Sequence, residues 1–474
     1  MNLSASTKNT KRDFTEGPLF WRLFLFAVPL MLSGLLQVGY SMADNIVVGG
    51  YSGDDLALAA VGSTTIFNNL IITFVLGFSG GAGVVVAQCF GSKDESRLEK
   101  SIHTSMALSL IFGILFGVLG AIFTVPVLEL MGTKPELIED AALYMHIICI
   151  GIPANIVYNF GASVLRSIGD SKTSLYILAA SGLLNVVLNL FFVIVCHMTV
   201  DGVALATIIS QYLSAILVLI VMLKQKGSTR LSFKKLKIDG SIFRAVMRLG
   251  LPAGLSNSLF ALSNMIITSA FNTFSTETIY ARTVVQNVDT IVSTMITSYQ
   301  RSTMTFTAQN YGAGNLGRIK KSFCYSMIQM LVITVVTAQI LLIFNRPIAS
   351  LYIGSSNESK ELILDIAAPF FKILLNTYFI CGIMNVLEAM LRGMKYSIIP
   401  AIVSVFAIII MRIVWVYCIF PFEPFNTANW LMISFPISWA LAVIAYIVIA
   451  IIAWRKLSRK LANNEALNPS KAEQ

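Results

Sequence analysis

Few residues in this chain carry chemistry into apolar surroundings, and the first is a single carboxylate. Asp44 stands in "SMADNIVVGGY", within a run from Leu19 to Val48 that is otherwise apolar or small. An ionisable group in hydrocarbon is costly, so one that persists usually faces a cavity or a partner. A carboxylate held out of water can be neutral on one leg of a cycle and charged on the other, as a proton carrier must be. Gln37 and Tyr40 precede Asp44 by seven and four residues, so a helix puts all three on one face. They would orient the carboxylate or line its cavity. The competing reading is that Asp44 lies near enough to the outer boundary to cap or snorkel.

A second polar set lies further on: Gln286, Asp289, Arg301, Lys372, Glu388 and Arg412. Asp289 and Glu388 are its carboxylates, and two roles fit them. They would bind a cationic drug or a second coupling ion, or they would be neutralised by Arg301, Lys372 or Arg412. The second role is favoured because unpaired intramembrane charges are rare. Asn159 is placed with these cavity candidates. Enzyme chemistry finds little support. The three histidines (His103, His146, His197) are dispersed, and HExxH, GxSxG and a P-loop are absent. Six cysteines are scattered singly with no CxxC pair, so they read as packing residues, and no metal or organic cofactor is expected. No charged ring or carbonyl filter repeat suggests a channel.

The elements that must position these residues are membrane helices. The 474-residue chain is 56% hydrophobic and 12% charged, with a mean hydropathy of +0.76. Apolar runs of about 20 residues recur along nearly its whole length, and their length excludes a barrel of alternating ten-residue strands. Twelve spans are predicted, near 19–48, 57–89, 102–125, 138–165, 172–196, 200–223, 243–272, 279–309, 320–344, 361–391, 397–420 and 428–454. The chain is therefore read as an all-α membrane protein with twelve transmembrane helices in two six-helix pseudo-symmetric lobes.

With the amino terminus inside, the tails and even-numbered junctions hold most of the 34 Lys and Arg residues, Arg392 among them. The odd-numbered junctions hold only Lys134, Arg346 and Lys360. The positive-inside rule then puts both termini in the cytoplasm, with the protein multi-pass in the cell membrane. Topology thus accounts for the formal charge of +10, and no nucleic-acid partner is needed. The organisation that follows is a cytoplasmic tail over 1–17, read as such and not as a signal peptide, a first lobe over 18–223, a cytoplasmic loop over 224–242, a second lobe over 243–455 and a tail over 456–474.

The halves repeat. "VPLMLSG" (28–34) resembles "LPAGLSN" (251–257), and "QCFGSKDESRLEKS" (88–101) matches "QNYGAGNLGRIKKS" (309–322) at an offset of 221. "NFGASVLRSIGDSK" (159–172) lies over "NVLEAMLRGMKYS" (385–397). Six spans return the chain to its starting side, so the repeats share one topology, as in parallel-repeat transporters.

The opening "VPLMLSGLLQVGYSMADNIVVGGYSG" and "LRSIGDSKTSLYILAASGLLNVVLNLFFV" resemble the multidrug and toxic compound extrusion (MATE) family. So do "AQNYGAGN", "MLRGMKYSIIP" and "FPISW" (435–439). The resemblance covers both lobes, about 430 residues. It implies a mostly monomeric secondary exporter of organic cations and other amphipathic drugs, coupled to influx of H⁺ or Na⁺ by alternating access. Its partners would be small-molecule substrates and membrane lipids.

The resemblance also implies a first-lobe ion site made from Asp44 with Asn185, Asn189 and Thr207. Asn185 and Asn189 are spaced i, i+4 and can share a cavity, or they serve as interhelical glue. Many relatives carry Asp where this chain has Asn189. A lone Asp among amides lacks the like-charge repulsion and doubled charge of a carboxylate pair, so one proton is expected in preference to Na⁺. After Pro252 this chain reads "AGLSNSLFALSN", without the acid that some Na⁺-using relatives carry there. A lipid-linked sugar flippase of the same broad superfamily is the alternative. It would want a basic cavity, which Arg301, Lys372 and Arg412 keep open in the second lobe.

Overall fold

A computed structural model describes the backbone of residues 13–51, 55–130, 132–353 and 358–467, with side chains described except at 41–51, 55–63, 65, 66 and 460–467. Twelve long helices follow one another. They are α1 (Leu19–Tyr51), α2 (Asp55–Gly91), α3 (Glu95–Leu130), α4 (Pro135–Ser167), α5 (Ser171–Val195) and α6 (Val200–Lys224), then α7 (Gly240–Phe271), α8 (Thr276–Gly312), α9 (Leu316–Ile343), α10 (Lys360–Gly393), α11 (Ile398–Ile419) and α12 (Ala428–Leu467). Among the described residues, ten of the twelve are long and apolar enough to cross a membrane; α7 and α8 are not. The fold is all-α, with twelve helices in two lobes.

The helix α8 shows how a polar sequence survives in such a fold. Its hydroxyls bond back onto its own carbonyls: Thr290 to Gln286, Thr294 to Thr290, Ser298 to Thr294 and Thr303 to Tyr299. Back-bonding of this kind satisfies the side chain without water. Helices α9 and α10 pack against it.

The repeat in the sequence is a repeat of backbone. The helices α3 and α9 start from equivalent caps, Asp94 accepting from the Arg97 N–H at 2.9 Å and Asn315 from the Arg318 N–H at 3.0 Å. One residue earlier, Lys93 and Gly314 both have positive φ, 57° and 73°. The second turn is copied too. After α4, Gly169 has φ 87° and Asp170 N–H donates to Leu165 O; after α10, Lys395 has φ 73° and Tyr396 N–H donates to Leu391 O. Glycine occupies the left-handed position in only one copy of each pair, so the conformation is set by the helix-ending hydrogen bonds and not by glycine alone.

By packing, the chain divides into two compact units, residues 1–261 and 262–474. The packing boundary therefore falls inside α7, whereas the sequence repeat begins near 243. The cause lies in four glycines. Gly77 and Gly81 of α2 meet Gly250 and Gly254 of α7 so closely that a Cβ on Gly81 would lie 2.3 Å from the Gly250 Cα. Two small-xxx-small faces let the backbones touch, which is how helices gain dispersion energy in lipid. Within the first unit, Ser163 and Ser167 of α4 donate to the carbonyls of Ser79 and Gly83 at 2.8 and 2.7 Å, and Phe78 stacks edge-on with Phe112 and Phe160.

The segment after α6 is strapped to the start of α3. Lys235 pairs with Glu99 at 2.6 Å, and Thr104 accepts the Asp239 N–H at 3.0 Å. His103 lies between, its Nε2 accepting the Ser232 N–H at 3.0 Å and its Nδ1 2.8 Å from Glu99 O. That pair of partners assigns the proton to Nδ1.

Candidate functional site

In the first unit, Asp44 belongs to α1, but its side chain lies outside the described residues. Tyr40, one turn earlier, is half-buried and locks α1 against α5: its hydroxyl donates to Ala179 O at 3.2 Å and its ring lies where a Gly182 Cβ would project. Gln37 is exposed. Asn185 and Asn189 are both buried in α5, Asn189 to 1% exposure. Thr207 of α6 is half-buried and donates to Val203 O at 2.9 Å. Asn159 of α4 donates to the Asn155 carbonyl and side-chain oxygens, both at 2.9 Å. The helices α1, α5 and α6 are mutual neighbours through α5, which ends in a π-helical turn at Phe191–Val195. Such turns insert a residue and recur at functional sites.

The second unit holds a denser polar centre, and it corrects the expected pairings. Glu388 is neutralised, but not by Arg301, Lys372 or Arg412. Its partner is Arg392 one turn along α10, at 2.5 Å, and Gln300 of α8 donates to its other oxygen at 2.9 Å. Arg392, one of the charges assigned to the inner junctions, is buried in the last turn of α10, which runs on to Gly393. Asp289 is half-buried on α8, two turns after Arg282, with Arg282 and Tyr378 among its neighbours. Lys372 and Gln286 are exposed, and Arg301 is half-buried beside Gln300.

Arg412 is fully buried, at 0% exposure. Its Nη1 donates to Ser263 Oγ at 2.9 Å and Asn264 Oδ1 at 2.6 Å, both on α7. It sits on a four-residue α-helical segment, Met411–Val414, between two π-helical stretches at Val405–Ile410 and Trp415–Ile419. Its guanidinium lies 4.6 Å from the centroid of the Phe435 ring on α12. Arg282, which the sequence reading passed over, approaches that ring at 5.5 Å. Its seven-residue spacing from Asp289 was the available signal, since two helical turns return a side chain to the same face.

Two homologous six-helix lobes with polar residues buried in each define a membrane transporter. The MatE family model matches residues 29–191 and 252–418, one match in each repeat, and the chain belongs to this family. It is 30% identical over 401 residues to the probable multidrug resistance protein YoeA of Bacillus subtilis (strain 168), covering 82% of this chain and 85% of that one. A FAD transporter of Shewanella oneidensis is 22% identical, covering 72% and 76%. Among solved structures, a MATE in complex with MaL6 superposes with a TM-score of 0.87 at 21% identity, over 94% of this chain and 98% of that one.

Proposed function

We propose that the chain is a secondary active multidrug exporter of the cell membrane. It antiports organic cations and other amphipathic compounds against H⁺ by alternating access of its lobes, both termini lying in the cytoplasm. The similarity to a probable multidrug resistance protein over most of both chains supports the substrate class. The observation that carries the coupling reading is the Tyr40 lock. It fixes α1 on α5 at Gly182, one turn before Asn185, while Asp44 is one turn beyond Tyr40. Both helices are odd-numbered in a chain of alternating crossings and so run parallel. On this reading the Asp44 position stands level with Asn185 and Asn189. One carboxylate among amides and a hydroxyl gives a site that a single proton can occupy, with too little negative charge for strong Na⁺ binding.

The test is ethidium transport in proteoliposomes under an imposed pH gradient or an imposed Na⁺ gradient. Wild type should respond to the pH gradient, and Asp44→Asn should lose at least tenfold of that flux, on the order of 1.4 kcal/mol of lost coupling or more. Equal flux in both proteins, or transport driven only by Na⁺, overturns the reading.

A further inference from the structure

The centre of the second unit is built to receive negative charge. Arg282 of α8 and Arg412 of α11 approach the one ring of Phe435, and Arg282 also lies 5.9 Å from the ring of Phe271. The two guanidiniums therefore share one aromatic neighbour. The carboxylate beside them is Asp289, since Glu388 is held by Arg392 and Gln300. Among the described residues, two guanidiniums and one carboxylate meet here, in a medium that stabilises charge poorly.

Arg282 is also left short of hydrogen bonds. It is 7% exposed, yet among the described residues its Nε and Nη1 have no hydrogen-bond partner. A planar guanidinium edge with unfilled donors matches a carboxylate, sulfonate or phosphate. Around it, Phe271, Phe435, Trp439 and Tyr378 supply an aromatic wall, Tyr378 and Trp439 at 5.3 Å between centroids. The α8 face next to it opens at Gln286, which is exposed, and Asp289, which is half-buried.

We infer that Arg282 and Arg412 around Phe435 form an anion-accepting subsite for aromatic amphiphiles bearing a carboxylate, sulfonate or phosphate. This goes beyond cation export and does not depend on the role of Asp44. Asp289 is the internal anion whose charge acts on Arg282 from two helical turns away, so an anionic ligand competes with it electrostatically.

The competition gives the test its sign. The full chain in phosphatidylcholine nanodiscs is titrated with two dyes sharing a xanthene frame, anionic carboxyfluorescein and cationic rhodamine 123, and read by fluorescence anisotropy. Arg282→Gln should weaken carboxyfluorescein about tenfold or more and leave rhodamine 123 within about twofold. Asp289→Asn should tighten carboxyfluorescein, a gain that mere damage to packing does not produce. Equal losses for both dyes in Arg282→Gln, or no tightening in Asp289→Asn, overturn the subsite. Should Arg282→Gln fail to fold, the Asp289→Asn titration decides alone. Nanodiscs containing phosphatidylglycerol separate the sources of the anion. Displacement of carboxyfluorescein from wild type assigns the subsite to lipid headgroups, and undiminished binding assigns it to soluble amphiphiles. Failure of Arg282→Gln to weaken carboxyfluorescein, with pH-driven ethidium export by the wild type intact, would sink the subsite and leave the exporter reading standing.

Discussion

Glu388 and Arg392 form a buried ion pair within one helical turn, and such pairs are costly to break from one side. Removing one partner leaves an uncompensated charge, worth about 3–5 kcal/mol, whereas replacing both with apolar residues of similar volume is close to neutral. Arg392→Met alone should therefore lower the melting temperature in detergent by more than Glu388→Leu and Arg392→Met together. A double variant as unstable as the sum of its parts would refute the pairing. This pair also shows what a sequence conceals at the scale of single residues. Asp289 and Glu388 were visible as intramembrane acids because carboxylates stand out in an apolar run. Their partners were not, because Arg392 lies where a helix end and a cytoplasmic loop read alike. Only the length of α10, which carries the helix through Gly393, turns that arginine inward.

At the scale of elements, hydropathy recognises ten helices and passes over α7 and α8. Runs delimited by polar or Gly/Pro breaks still mark both, near 243–272 and 279–309, and "LPAGLSN" and "AQNYGAGN" agree with that placement by analogy with the first half. What the repeat could not supply was the α2–α7 crossing, which depends on four glycines meeting across 170 residues of chain. Gly81→Val puts a branched side chain where the Gly250 backbone already stands, and should cost about 1–3 kcal/mol or more, read as a lower melting temperature. The strap after α6 makes a milder prediction. Asp239 accepts from the Ser241 hydroxyl and from the N–H groups of Ser241 and Ile242, which with Lys100 hold its carboxyl at about 2. A depressed value means that its contribution is complete above its ordinary value of 3.8 and disappears as pH falls through about 2. At neutral pH the strap is therefore fully engaged. Asp239→Asn should increase trypsin cleavage at Lys234, Lys235 and Lys237 at pH 7, and unchanged cleavage would show that the cap does not hold the strap.

For the whole molecule, the duplication was legible in outline and not in depth. Matching letters at a constant offset gave the lobes, but they did not show that Lys93 answers Gly314 and Lys395 answers Gly169 in the same left-handed turns. Gly169→Ala and Gly314→Ala should each cost about 1 kcal/mol, measurable by thermal unfolding, while Lys93→Gly should be neutral or stabilising. The helix α7 carries a consequence of another kind. By ancestry it opens the second repeat, yet its first half is a part that the first compact unit needs to cover Gly77 and Gly81. A chain cut within 225–239 is therefore not two finished products but a tenon and a mortise. Co-expressed fragments should rejoin and restore function, whereas the first fragment by itself would be left with an open slot.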